Sequence, residues 1–198
     1  MKQGFFGGIA AGIMIGIGGS VFLACDNRYM GAIFFTVALL SICHMGLSLY
    51  TGKVGFLVVC HKKDDILSLI GCLLGNLTGT FAAGLAVRLG RPSLGTAAQA
   101  LVSNKLKLNS LEVLLTGLLC GVLMYTAVCI YREKSSISGI LFCVPVFILA
   151  GFEHSIADMF YFFCAGSYSL RAVLFVIMVI IGNSVGGMLI PLLRKFAG

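Results

Sequence analysis

The chain has 198 residues, of which 59% are hydrophobic and only 11% are charged, and its net charge is +7 at neutral pH. Because a soluble domain carries about 25% charged residues, this composition excludes a soluble protein and predicts one membrane domain over 1–198. The positive charges are too dispersed for nucleic acid and suit contact with anionic lipid or attraction of anions. The eight cysteines lie mostly in apolar runs, which indicates buried thiols rather than a disulfide framework.

Six apolar runs follow one another, each about as long as the 20 residues that a spanning helix needs, or longer. They are Gly4–Cys25, Met30–Cys60, Ile66–Val87, Leu111–Tyr131, Ile137–Tyr168 and Leu170–Leu193. The first run follows Met1 and Lys2 as a signal peptide would, but it is rich in glycines that let helices pack closely. We therefore expect it to remain as the first span, and we expect the segment 88–109 to be a loop with a short helix.

The second and fifth runs are too long for one straight span, and each carries polar residues near its middle. These are Thr51 and Lys53 in the second run and Glu153 and His154 in the fifth. Each charge left in lipid costs roughly 3 kcal/mol, and irregular backbone at membrane depth is tolerated where it lines a cavity. The pattern thus predicts two interrupted helices whose polar residues face a water-filled path.

The sequence also repeats. The motif GNLTG at 75–79 returns as GNSVG at 182–186, which is 107 positions later, and the glycines at 8 and 12 return at 117 and 121. Three spans in each half require the halves to lie oppositely in the bilayer, and inverted repeats with interrupted helices are typical of channels and transporters. We therefore predict repeats over about 1–90 and 108–198. Loop charges are nearly balanced, and the basic pair at 62–63 favours cytoplasmic termini.

Five polar side chains are candidates for contact with a permeating solute. His154 can donate a hydrogen bond to an anion or pass a proton to it, since histidine titrates near neutral pH. Glu153 can act there too, or accept from the amides of the broken backbone. The Thr51 hydroxyl can donate to an anion or cap the other break. Lys53 and Lys105 can raise the local anion concentration, or can lie at an interface or in solvent.

Four segments resemble the formate/nitrite transporter family, and the likeness runs through all six spans. They are LYTG at 49–52, GNLTG at 75–79, GFEHSIADMF at 151–160 and GNSVGG at 182–187. The resemblance implies an all-α, aquaporin-like protomer with six transmembrane helices, the second and fifth interrupted, and one pore in each protomer of a homopentamer. We expect no enzyme activity and no cofactor or metal.

Single positions are matched to the family by the same resemblance. His154 matches the central pore histidine, Thr51 the threonine of the second-helix loop, Lys105 a vestibule lysine and Asn183 a pore-side asparagine. The expected hydrophobic constrictions involve Phe35, Leu39, Leu49, Tyr50 and Ile148. Two positions depart from the pattern, because Gly121 stands where asparagine is usual beside the histidine and Lys53 where a neutral residue is expected. The glycine predicts a wider pore.

The function expected from this resemblance is a pH-linked channel or proton-coupled transporter for small weak-acid anions such as formate, nitrite or hydrosulfide. The expected partners are the anion, a proton and the lipid bilayer of the inner or plasma membrane. A channel for a small neutral solute is the main alternative, given Gly121. A haem subunit using His44 and His154, or a hydrolase using Ser155, is less favoured because no second ligand or base is paired with either site.

Overall fold

The structure, a computed structural model, describes residues 1–58 and 62–197, and within them every regular element is helical. Cys60, at the end of the second predicted run, lies outside these residues. The helices are α1 (Lys2–Ala24), α2 (Arg28–His44), α3 (Tyr50–Lys53), a 3-10 helix (Val54–Val58), α4 (Lys63–Gly90), α5 (Pro92–Lys105), α6 (Ser110–Lys134), α7 (Ser138–Ala150), α8 (Ser155–Ala165) and α9 (Leu170–Phe196). The all-α prediction is confirmed, and α5 is the short helix expected in the long connection.

Helices α1, α4, α6 and α9 are each long and apolar enough to cross a membrane. Helices α7 and α8 together make a fifth span, which bends by 55° at its break, and α2 is a shorter apolar helix. The interrupted second and fifth spans are therefore confirmed. The first break falls at 45–49, earlier than expected, so that Thr51 and Lys53 lie inside α3.

The two breaks share one backbone conformation, and their equivalent residues lie 105 positions apart in the sequence. At the end of α2, Gly46 adopts a φ of +64° and Leu47 N–H donates to the carbonyl of Ile42 at 2.9 Å. At the end of α7, Gly151 adopts a φ of +74° and Phe152 N–H donates to the carbonyl of Phe147 at 2.9 Å. A left-handed glycine after a helix satisfies the last carbonyls in this way. Leu49 and His154 are thus equivalent residues, each the last before the next helix.

Glycines allow the first and third helices of each half to lie in backbone contact. A Cβ added to Gly12 on α1 would lie 3.0 Å from the Cα of Gly79 on α4. A Cβ added to Gly182 on α9 would lie 3.1 Å from the carbonyl carbon of Gly117 on α6. These are the glycines of the sequence repeat, so the repeat marks the two tightest helix pairs, as small residues do in membranes.

The outer faces of several helices are apolar, while a small set of polar side chains is buried inside the bundle. The exposed faces of α1, α2, α4 and α9 carry large apolar residues, as expected of surfaces that contact lipid or another subunit. The buried polar residues are Thr36, Ser48, Thr51, Asn76, Thr80, Glu153, His154, Ser155, Asp158 and Asn183. Most of them belong to the two breaks or to the helices packed against them. The buried polar side chains are thus concentrated around the breaks.

Candidate pore

Two cavities approach each other from opposite ends of the bundle. The Lys105 vestibule, of about 460 Å³, is lined among others by Arg28, Phe35, Lys105, Phe147, Glu153 and His154. The Lys53 vestibule, of about 500 Å³, is lined among others by Leu39, Leu49, Lys53, Asp65, Tyr131 and Arg132. No described residue lines both cavities. Phe35 and Leu39 lie one turn apart on α2 and face different vestibules, so the barrier between the cavities lies at this level.

The His154 ring lies at this barrier, almost completely buried. It stacks on Phe147 with 5.5 Å between ring centres. Its Nδ1 accepts a hydrogen bond of 3.1 Å from the Ala157 N–H and so caps α8. Because a backbone N–H can only donate, Nδ1 carries no hydrogen here, and the neutral ring bears its proton on Nε2.

The Thr51 hydroxyl meets this ring from the other break. Thr51 Oγ1 lies 2.8 Å from His154 Nε2, and neither residue is appreciably exposed. Since Nε2 carries the proton, the imidazole donates and the threonine oxygen accepts. That is the one hydrogen bond of Thr51 Oγ1 among the described residues, which leaves its hydroxyl hydrogen free to donate. The structure therefore brings together the two side chains that the sequence analysis placed at opposite breaks.

Two asparagines, one at each break, stabilise the non-helical backbone by equivalent sets of three hydrogen bonds. Asn183 Nδ2 donates to the carbonyls of Gly117 and Glu153 at 2.7 and 2.8 Å, and its Oδ1 accepts from Ser155 N–H at 2.9 Å. The bonds to Glu153 and Ser155 fix the peptide groups on both sides of His154. All of them go to backbone, so the structure places Asn183 behind the break, although the sequence analysis expected it to face the pore.

Asn76 makes the equivalent bonds in the first half of the chain. Its Nδ2 donates to the carbonyls of Gly8 and Ser48 at 2.9 and 2.8 Å, and its Oδ1 accepts from Tyr50 N–H at 2.9 Å. Leu49 lies between the two peptide groups that Asn76 binds in this break. One half of the fold thus presents an imidazole and the other an aliphatic side chain. The sequence analysis found Asn76 as a repeat motif but gave it no role.

Three charged side chains form a buried cluster in the Lys105 vestibule. Lys105 Nζ, at the end of α5, makes an ion pair with Glu153 and another, of 2.9 Å, with Asp158 Oδ1. It also lies 5.9 Å from the centre of the Tyr161 ring. The sequence analysis left Asp158 out of the pore residues, although it follows His154 by four residues, which is about one helical turn. The two side chains do not pair, because His154 precedes the first turn of α8.

The Lys53 vestibule is lined by cationic side chains and by fewer carboxylates than the Lys105 vestibule. Lys53 Nζ donates to Ser48 Oγ at 2.8 Å, and the Arg132 guanidinium lies 4.2 Å from the centre of the Phe56 ring. Of the described carboxylates, Asp65 lines this cavity. Of the two lysines identified from the sequence, Lys105 is mostly buried and Lys53 is exposed, and they line different vestibules.

The predicted constriction residues divide between the two sides of the barrier. Phe35 and Ile148 line the Lys105 vestibule, whereas Leu39 and Leu49 line the Lys53 vestibule. Phe35, Leu39 and Leu49 are almost fully buried. Tyr50 lines neither of these cavities, and its hydroxyl lies 2.8 Å from Ser184 Oγ. The apolar barrier is thus built mainly from α2 and from the residue that precedes α3.

Gly121 does not open the pore in the way its small size suggested. The Cβ of any larger residue there would meet the carbonyl oxygen of Asn183 and the amide nitrogen of Gly187, both backbone atoms of α9. The glycine therefore serves the close packing of α6 on α9. Because it removes no atoms from the barrier, it gives no support to a channel for neutral solutes.

The remaining alternatives gain no support from the site either. His44 is exposed at the end of α2, and its ring packs 5.2 Å from that of Tyr131, which lines the Lys53 vestibule. His154 lines the other vestibule, so the two rings do not form a pair that could hold a haem from both sides. The Ser155 hydroxyl is buried and makes no hydrogen bond among the described residues, so no base activates it for hydrolysis.

Comparison with known proteins agrees with this architecture. The model of a family described as formate/nitrite transporter matches residues 1–196. The uncharacterized transporter YwcJ of Bacillus subtilis (strain 168) is 27% identical over 175 residues, which cover 76% of this chain and 68% of that protein.

Two solved structures share the fold at 24% sequence identity. A pentameric formate channel with formate bound superposes with a TM-score of 0.82 over 99% of this chain and 96% of the other. A chain described as an FNT family ion channel superposes with a TM-score of 0.84 over 100% and 91%. The relatives are transporters and channels, and the chain has several apolar helices suited to a multi-pass membrane protein. This chain belongs to the formate/nitrite transporter family.

Proposed function

We propose that this protein is a pH-linked channel or proton-coupled transporter for small monovalent weak-acid anions, with formate, nitrite and hydrosulfide as the first substrates to test. The observation that carries the proposal is the pair formed by His154 Nε2 and Thr51 Oγ1, at 2.8 Å, on the barrier between two vestibules that both contain cations. The relatives support it, since one solved structure of the same fold is a formate channel with formate bound.

The route begins with collection of the anion in a vestibule, where cationic side chains raise its local concentration. A bare anion is then very costly to bring past Phe35, Leu39 and Leu49, because an apolar surround favours the neutral form of a titratable group. The weak acid therefore crosses as the neutral molecule after it takes up a proton, and it leaves the proton behind in the opposite vestibule. Strong-acid anions of the same size cannot take this route.

Two hydrogen-bond donors serve the solute at the barrier. When a small acid displaces the bond between His154 and Thr51, the Nε2–H and the hydroxyl hydrogen can both point at its acceptor atoms. Of the two roles expected for His154, the geometry supports hydrogen-bond donation. A proton donor would need a second proton on Nδ1, where the Ala157 N–H already donates.

The same proposal places the protein as a homopentamer in the plasma membrane with cytoplasmic termini. The relative solved with formate bound is pentameric, and the exposed apolar faces of the helices suit both lipid and subunit contacts. Each protomer has its own pair of vestibules, so we expect five independent routes rather than one central route.

A stopped-flow substrate panel in proteoliposomes tests this function. Formate, nitrite, hydrosulfide, acetate and lactate are supplied at two external pH values, with nitrate as a strong-acid anion of similar size. We expect uptake of at least one weak acid to rise as external pH falls, and nitrate to stay at the level of empty liposomes. Nitrate uptake as fast as that of the best weak acid, with no dependence on pH, would contradict passage as a neutral acid.

A further inference from the structure

The buried cluster in the Lys105 vestibule has one more negative group than positive. Lys105 lies between the carboxyls of Glu153 and Asp158, and the side chains of these three residues are 14%, 4% and 1% exposed. Two carboxylates that share one buried site resist being ionised together, and a buried charge is tolerated only when it is well paired. One ammonium group cannot compensate both carboxylates.

One carboxyl oxygen of this cluster has no partner. Asp158 Oδ1 receives the ion pair from Lys105, whereas Oδ2 is buried and makes no hydrogen bond to any residue in 1–58 or 62–197. An ionised carboxylate accepts at both oxygens, so burial of one of them without a donor is costly. Protonation changes this, because it removes the uncompensated charge, and a buried neutral carboxyl costs far less than a buried unpaired charge.

The groups around Asp158 supply no second cation. Glu153 and His154 face it from the break, Lys105 faces it from α5, Tyr161 lies on its own helix and the Cys120 thiol lies on α6. Arg28 also lines the vestibule, but its guanidinium donates to the carbonyls of Ile148 and Leu149 at 3.0 and 3.2 Å. Among the described residues, α1, α4 and α9 place no charged side chain in this cavity.

We propose that Asp158 is a proton-binding site of the pore, which takes up a proton from the Lys105 vestibule and thereby sets the charge that an entering anion meets. With the proton bound, the Lys105–Glu153 pair is neutral and the anion can approach the His154 donor. With the proton released to solvent, the cluster carries one net negative charge beside His154 and repels the anion. This inference rests on the proposed function and adds a pH gate to it.

Infrared spectroscopy of the whole protein in liposomes tests this site independently of transport. A pH titration from about 3 to 9, which runs from below the ordinary pKa of an aspartic acid to the values documented for buried carboxyls, is followed at the carbonyl stretch of protonated carboxylic acids. We expect the wild type to show the band of a buried protonated carboxyl, and we expect this band to shift in D₂O as the acid proton is exchanged for deuterium. Asp158→Asn should lose the band. The matched control is Asp26→Asn at an exposed aspartate, which should keep the band.

A second variant decides the question if Asp158→Asn fails to fold. Asp158→Glu retains a carboxyl, and its band should appear at a shifted frequency. The absence of a protonated band in the wild type over the whole titration would overturn the proposal, as would a band unchanged in either Asp158 variant. If the band behaves as expected while weak-acid uptake is missing from the substrate panel, the proposed function fails and the proton site stands.

Discussion

Replacing Gly186 with leucine should prevent the protein from folding. Any Cβ at this position of α9 would meet the carbonyl oxygen of Leu118 and would lie 3.0 Å from its Cα, and both are backbone atoms of α6 that no rotamer change can move. Overpacking typically costs about 1–3 kcal/mol and occasionally more, and a leucine forced between two backbones belongs at the severe end. The expected result is loss of the single folded peak in size-exclusion chromatography of the detergent-solubilised protein.

Gly90 offers the matched control for this prediction. It is exposed at the end of α4, and a Cβ added there has no heavy atom within 4 Å. Gly90→Leu makes the same change in composition without the collision, so it should elute and unfold like the wild type. Equal thermal stability of the two leucine variants would show that α6 and α9 are not in backbone contact at this point.

Replacing Asn183 with alanine should destabilise the second break and reduce transport. The change removes three hydrogen bonds of 2.7–2.9 Å and leaves the Gly117 and Glu153 carbonyls and the Ser155 N–H buried without their partner. Each unsatisfied buried group costs about 1–3 kcal/mol, so we expect the unfolding temperature to fall by many degrees. Formate uptake should fall as well, because the peptide groups on both sides of His154 are no longer fixed.

Two other asparagines separate the effect on stability from the effect on the pore. Asn76→Ala removes the equivalent bonds around Leu49, and it should lower stability to a similar extent while leaving the His154 donor in place. Asn109→Ala removes only an exposed helix cap, which is worth about 1 kcal/mol. If Asn183→Ala unfolds at the same temperature as Asn109→Ala, its side chain does not hold the break together.

The main features of the fold could be predicted because the bilayer leaves the chain few choices. The runs that contain Thr51 and His154 were too long and too polar for single helices, and interruption was the one arrangement that removed both problems. The repeat of glycine and asparagine motifs indicated two equivalent halves. In the structure these motifs mark the tight helix pairs and the asparagines that hold the breaks.

Much of the site could not be predicted, because it depends on contacts between distant segments. Lys105 comes from a connecting helix that no apolar pattern fixed, so its pairing with two carboxylates was not foreseeable. The position of the first break was misplaced because Thr51 looks like a break residue, whereas the glycine with positive φ is Gly46. The direction in which Gly121 faces follows from how α6 is rotated against α9, which sequence alone does not fix.

The central claim is that the His154 ring donates a hydrogen bond to small acids at the barrier, and formate uptake by His154→Phe in proteoliposomes tests it most directly. His44→Phe is the matched control, since it makes the same change at an exposed histidine. A hydrogen bond between neutral groups contributes about 0.5–1.5 kcal/mol, so we expect His154→Phe to lose about two- to tenfold of the uptake at low external pH, while His44→Phe behaves like the wild type. Uptake by His154→Phe equal to that of the wild type at every pH would contradict the account.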